Sequence, residues 1–167
     1  VVLLPIFYKF KPLDRPALVD RLMTLATRAR TDVVGVFEGV LSGHTRKANA
    51  ALAGMGRTRR ILLSDTLLAD YSEDEIEVIL AHELAHHVHR DLWRGIAVQS
   101  LILVARFFVA DRILHVAAGP LELRGISDPA ALPLLMLAGG AWSLLALPLA
   151  NAVSRAQERA ADRYALV

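Results

Sequence analysis

The segment best suited to chemistry is His82-Glu83-Leu84-Ala85-His86, in which two histidines stand four residues apart. On a helix, side chains at this spacing project from one face about one turn apart, so both imidazoles can reach a single metal ion. Glu83 lies beside them, where its carboxylate can take a proton from a metal-activated water. The pattern is the H-E-x-x-H arrangement of a zinc hydrolase site.

A motif this short also arises by chance, and many chance matches lie on an ordinary helix surface. Here the surroundings favour a metal site, because four of the six histidines fall within eight residues. Zinc binds neutral imidazole readily, and the chain has no cysteine, so any further protein ligand must be His, Asp or Glu. We therefore expect one Zn²⁺ per chain.

The residues around the motif predict the helix that must position it. Ser72 followed by Glu75 is the pattern of a capping box, and acidic residues crowd the first turn. An apolar stripe with helical spacing lies away from the two histidines. Its members are Ile76, Ile79, Leu80, Leu84 and Val88. Burial of this stripe would hold the helix while the histidine face looks into a cleft.

A helix and a small sheet are predicted before the metal-binding helix. The helix begins near Asp14 and Pro16 and ends about Arg30. Residues 33–38, 48–52 and 60–63 are typical of three short strands. The apolar run 1–8 is either the end of a membrane helix or a strand or core segment, and both alternatives stay open.

The second half of the chain has the composition of a membrane hairpin. Apolar residues make up 54% of the sequence, more than a soluble domain of this size needs. Residues 129–154 carry no charged side chain over 26 residues and are predicted to cross a membrane. Residues 95–118 are also long enough to cross, although Arg106 would need a partner. A buried core helix is the alternative for the uncharged run. Basic residues flank the hairpin on the side of the metal site, whereas its short turn carries only Arg124, which predicts a cytoplasmic metal site.

Glu158 and Asp162 are candidates for completing the site. They stand four residues apart and share one helix face, as a ligating carboxylate and a carboxylate that orients a ligating histidine would. Mixed charge of this kind is more often a solvated helix face. Because catalytic zinc needs a third protein ligand, the metal-site interpretation is favoured beside His82 and His86. His87 and His89 are expected at the surface or in a supporting role, and His44 and His115 have no partner visible in the sequence.

Several segments in this order resemble the zinc-dependent membrane endopeptidases of the CAAX prenyl protease type 1 and HtpX group. They are Asn49-Ala50, the run from Arg60 to Leu68, the H-E-x-x-H motif, and Ser154-Arg155 followed by Glu158 and Asp162. The resemblance implies that His82, His86 and Glu158 bind zinc, that Glu83 is catalytic, and that Asp162 supports a zinc-binding histidine. It also implies that Asn49 and Ala50 lie on an edge strand that binds substrate.

The predicted fold class is α+β: a mainly helical, gluzincin-like metalloprotease core with a small three-stranded sheet and a transmembrane helical hairpin. We expect one peptidase domain over residues 1–167, cut from a longer protein. Its parts are residues 1–94 with the sheet and metal helix, 95–153 with the hairpin, and 154–167 with the third ligand.

The predicted function is a membrane-embedded zinc metalloendopeptidase that uses a zinc-activated water with Glu83 as general base. Its expected partners are peptide or protein substrates, including membrane proteins, and the lipid bilayer of a bacterial inner membrane. Nucleic acid is excluded, because no stacking aromatics accompany the basic residues. A signalling transducer of the antirepressor sensor type could use the same core, and structural zinc is a third alternative, which Glu83 argues against.

Overall fold

The computed structural model describes residues 10–40, 49–54, 56–125 and 128–166. The apolar run 1–8 and His44 lie outside these residues. The chain forms two compact units, the first comprising Val1–Asp91 with Glu158–Val167 and the second Leu92–Gln157. The three-part peptidase domain expected from the sequence stays a prediction.

A mixed sheet of four strands forms one side of the first unit. Its strands are β1 (Phe10–Pro12), β2 (Val36–Gly39), β3 (Ala50–Ala53) and β4 (Arg60–Ser64), in the order β1-β2-β4-β3. Strands β2 and β4 are parallel, and the other two pairs are antiparallel. The prediction of three strands was therefore wrong by one. Strand β1 escapes the sequence pattern because its three residues, Phe-Lys-Pro, are too few for an alternation and end in proline.

Three helices pack with this sheet in the first unit. Helix α1 (Pro16–Arg28) begins with proline, as predicted, and buries Leu18, Leu22 and Ala26. The short helix α2 (Asp65–Asp70) follows β4 directly, and the Ser64 side chain accepts a hydrogen bond from its backbone. Helix α3 (Glu73–Val88) carries the histidine motif.

Helix α3 begins and is held as the sequence indicates. Both hydrogen bonds of the predicted capping box between Ser72 and Glu75 are present. On the neighbouring helix α1, Arg21 forms ion pairs with Asp74 and Glu77 of α3. These contacts fix the first half of α3 about two turns before the first histidine of the motif.

One hydrophobic core unites the helices and the sheet. Ile76, Leu80 and Leu84 of the predicted stripe are fully buried, and Ile79 is partly buried against them. The other fully buried large residues are Leu18, Leu22, Ile61, Leu63 and Leu67. Each contributes about 1.5–3 kcal/mol through removal from water. Val88 was wrongly placed in the stripe, because it lies in the last turn of α3 and is 41% exposed.

Two long helices supply the second unit: α4 (Asp91–Ala118) after its first residue, and α5 (Leu132–Ala165) as far as Gln157, beyond which its last turns belong to the first unit. Within this unit, Trp142 Nε1 donates to the Ile102 carbonyl at 3.2 Å. The Arg106 guanidinium lies over Gly139, where an added Cβ would come within 2.6 Å of its Nη2 atom. The absence of a side chain at residue 139 thus leaves room for the arginine.

Helix α5 continues past the boundary expected at Ser154. Pro148 lies inside it without ending it. Proline has no N–H to donate within the helix, and helices tolerate this loss where neighbouring groups hydrogen-bond the freed carbonyl. The segment predicted as a separate helix over 154–167 is therefore the last part of α5.

Among the described residues, one helical segment, Pro129–Ala165, is long and apolar enough to cross a membrane, judged by length and composition. Most of its large apolar side chains are exposed, including Leu137, Leu144 and Leu145. Helix α4, which contains Arg106, Asp111 and Arg112, is not among the segments that meet these criteria. Its crossing stays a prediction.

Candidate metal centre

Three side chains from two helices converge in the first unit. His82 and His86 come from α3, and Glu158 comes from α5. The two Nε2 atoms are 3.2 Å apart, and Oε2 of Glu158 lies 3.4 Å from Nε2 of His82 and 3.8 Å from Nε2 of His86. Ligand atoms at about 2.0–2.1 Å from a tetrahedral zinc are separated by roughly 3.3–3.4 Å. The three groups therefore fit a tetrahedral metal with one position left open.

A carboxylate lies behind each histidine. His82 Nδ1 is 3.0 Å from Oδ1 of Asp162, and His86 Nδ1 is 2.9 Å from Oδ2 of Asp91. When Nδ1 carries the ring proton and donates a hydrogen bond to the carboxylate, Nε2 keeps its lone pair for a metal. Both rings thus present Nε2 toward Glu158.

Asp91 is the site residue that sequence reasoning missed. Asp162 was found through its helical spacing from Glu158, whereas Asp91 follows the end of α3 and reaches back to it. Arg90 has a left-handed backbone with φ of 56°, which turns the chain at this point. The available signal was an acidic residue directly after a run of histidines, with no regular period to mark it.

The other histidines that the structure describes, His87, His89 and His115, are not part of this group of convergent atoms. Burial, reinforced by the positive charge of Arg59, lowers the pKa of His87. The ring of His89 meets the ring of Tyr164 edge-on, with centroids 5.9 Å apart, at the end of α3. Nδ1 of His115 lies 2.9 Å from the carbonyl oxygen of Asp111 on α4.

The roles expected of Glu83, Asn49 and Ala50 stay predictions. Glu83 is half-buried on α3 between the two histidines. Ala50 begins β3, at one end of the described sheet, opposite Leu63 of β4. Asn49 precedes it, with its backbone N–H donating to the Ser64 hydroxyl at 2.9 Å. This contact fixes the start of the edge strand.

An apolar cleft of about 410 Å³ borders the convergent side chains. His82 and Asp162 form its polar wall. The other lining residues are Val78, Ile79, Ala165 and Leu166. The cleft can therefore accept an apolar group next to the convergent side chains.

The chain is similar to known metalloproteases in sequence and in fold. The model of Peptidase family M48 matches residues 12–167. The uncharacterized metalloprotease YhfN of Bacillus subtilis is 35% identical over 170 residues, which cover 99% of this chain and 40% of that protein. A CAAX prenyl protease 1 homolog of Oryza sativa is 35% identical over 108 residues, covering 62% of this chain and 25% of the relative.

The fold is similar to the crystal structure of S. mikatae Ste24p, with a TM-score of 0.71 and 26% identity. That match covers 99% of this chain and 42% of the Ste24p chain, so this chain spans about two fifths of the proteins it resembles over its full length. The expected fold class and the resemblance to CAAX prenyl protease type 1 and HtpX are confirmed. A metalloprotease family implies a bound metal. The chain belongs to peptidase family M48.

Proposed function

We propose that the protein is a membrane-embedded zinc metalloendopeptidase in which His82, His86 and Glu158 hold one Zn²⁺. The observation that carries this proposal is the spacing of the three ligand atoms, 3.2, 3.4 and 3.8 Å, which fits three corners of a zinc tetrahedron. Three protein ligands with an open fourth position are characteristic of catalytic zinc, whereas structural zinc has four protein ligands.

Glu83 is the proposed general base. Bound zinc supplies a Lewis acid that polarises the scissile carbonyl and makes water acidic enough to attack near neutral pH. A carboxylate oxygen of Glu83 accepts the proton that the attacking water loses. The same oxygen then donates this proton to the leaving amine nitrogen as the peptide bond breaks. Asp162 keeps the imidazole of His82 in the ligating orientation throughout.

The substrate is proposed to be a peptide or protein bound along β3. An extended segment added at this edge would be held by main-chain hydrogen bonds, which tolerate many sequences. Asn49 and Ala50 stand at the start of that edge. The cleft lined by Val78 and Ile79 supports a preference for an apolar side chain near the cleaved bond.

The proposed location is a bacterial inner membrane with the metal site facing the cytoplasm. The exposed apolar surface of the helix over Pro129–Ala165 supports insertion into lipid. Basic residues on the segments flanking the predicted hairpin support the orientation, because cytoplasmic loops carry an excess of Lys and Arg.

The test is the full-length protein in detergent, assayed with an unfolded membrane protein and with a prenylated peptide, in the presence and absence of chelator. Glu83→Gln should keep one zinc per chain and lose about 10²–10⁴-fold in turnover, because the proton acceptor is removed while the ligands remain. Glu73→Gln is the matched control, since Glu73 lies on the first turn of the same helix. Near-wild-type cleavage by Glu83→Gln, or cleavage that survives complete zinc removal, would overturn the proposal.

A further inference from the structure

We infer that Asp91 is the positioning residue of His86 and fixes which ring nitrogen of that histidine faces the metal site. The inference rests on the proposed function, because it takes His86 as a ligand. It concerns a residue outside the Glu158 and Asp162 pair that the sequence pattern points to.

The contact between Asp91 and His86 is shielded from water. The side chain of Asp91 is 7% exposed and that of His86 is 29% exposed, with 2.9 Å between Oδ2 and Nδ1. The equivalent contact of His82 is made by Asp162, whose side chain is 64% exposed. Water and salt screen an exposed charge far more than a buried one. Asp91 should therefore hold its histidine more firmly than Asp162 does.

The backbone on both sides of Asp91 is fixed by hydrogen bonds and by helix geometry. Before it, the N–H groups of His89 and Arg90 donate to the carbonyls of Ala85 and His87, which closes the end of α3. Asp91 is itself the first residue of α4. The carboxylate is thus placed beside His86 by two helix ends, without dependence on a flexible loop.

A purely structural role would also put an acidic residue at this position, because negative charge is favourable in the first turn of a helix. Asp65 provides the comparison, since it begins α2 in the same way and is only half-buried. Helix-start stabilisation does not require burial against an imidazole. Asp65→Asn is therefore the matched control for the effect of charge at a helix start.

The first measurement is the ¹⁵N spectrum of histidine-labelled, metal-free, full-length protein at about pH 9, well above the pKa of about 6.5 of a free histidine side chain. His86 should carry its proton on Nδ1 in the wild type, and Asp91→Asn should shift it toward protonation at Nε2. His82 should not change, and Asp65→Asn should leave both rings as in the wild type. A wild-type His86 protonated at Nε2 would overturn the inference without any variant being needed.

The second measurement is zinc affinity by chelator competition. Asp91→Asn should bind zinc about 10–100-fold more weakly, as expected when a carboxylate behind a ligating histidine is removed. Asp91→Glu keeps the carboxylate and should recover most of this loss. If Asp91→Asn does not fold, the wild-type ¹⁵N spectrum alone decides the inference. Unchanged zinc affinity in Asp91→Asn, or an equal loss in Asp65→Asn, would overturn the inference. Wild-type protein that binds no zinc would instead contradict the proposed function.

Discussion

Replacement of Glu158 by glutamine removes one corner of the proposed metal site with little change in shape. Glutamine keeps the size of the side chain but loses the charge that a ligating carboxylate supplies. Binding of zinc by four protein ligands is worth about 10–16 kcal/mol near pH 7, or about 2.5–4 kcal/mol for each ligand. At about 1.4 kcal/mol for each tenfold change, Glu158→Gln should weaken zinc binding by about 10²–10³-fold.

The assay is competition with a chromophoric chelator, using full-length protein in detergent and metal analysis of the purified samples. Glu73→Gln should bind zinc like the wild type, because that carboxylate lies at the opposite end of α3 from the motif. His89→Ala should also retain zinc, since its ring packs on Tyr164 and not among the ligand atoms. Zinc stoichiometry that survives Glu158→Gln and collapses in His89→Ala would show that the ligand set is wrong.

Three further predictions concern the scaffold. Gly54→Ala should lower the free energy of unfolding of the first unit by about 1–3 kcal/mol, because φ is +111° and the new Cβ would lie 2.5 Å from a backbone oxygen. A variant as stable as the wild type in chemical unfolding would contradict this prediction. Hydrogen bonds from the backbone N–H and hydroxyl of Ser72 hold the pKa of Glu75 below its usual range. The stabilisation that Glu75 provides is therefore present above its unfolded pKa of about 4.3 and is lost as the pH falls through its lower folded pKa. Glu75→Gln should therefore flatten the pH dependence of the free energy of unfolding below about pH 5. An unchanged pH profile in this variant would refute the prediction. Cysteines at Glu122 and Arg57 should label from opposite sides of intact cells, and equal labelling from outside would refute the predicted topology.

Most of the features that position the two histidines could be predicted from the sequence. Spacing of four residues, a capping box and an apolar stripe each follow from helix geometry, and Ile76, Leu80 and Leu84 are buried accordingly. The same periodicity links Glu158 to Asp162. These features are predictable because one local rule, the helical repeat, determines them.

The features that were missed depend on contacts that no local pattern encodes. Asp91 reaches His86 through a left-handed turn at Arg90. Because non-glycine residues rarely adopt a positive φ, an arginine at this position gives no indication of the turn. Strand β1 exists because it pairs with β2, at the register of Phe10 with Gly39, and its own three residues carry little preference. The end of the apolar run at Ser154 suggested a helix boundary, although a change in polarity along a helix requires no break in its backbone.

The position of Glu158 has a consequence for the chain as a polymer. Roughly 70 residues separate Glu158 from His86, so a metal bound by both side chains closes a long loop. Closing a loop of that size in the unfolded chain costs several kcal/mol of conformational entropy. Metal binding and the docking of the last helical turns on α3 are therefore thermodynamically linked, each favouring the other. Removal of the metal should consequently expose the segment around Arg159 to protease before the core around Leu80 opens.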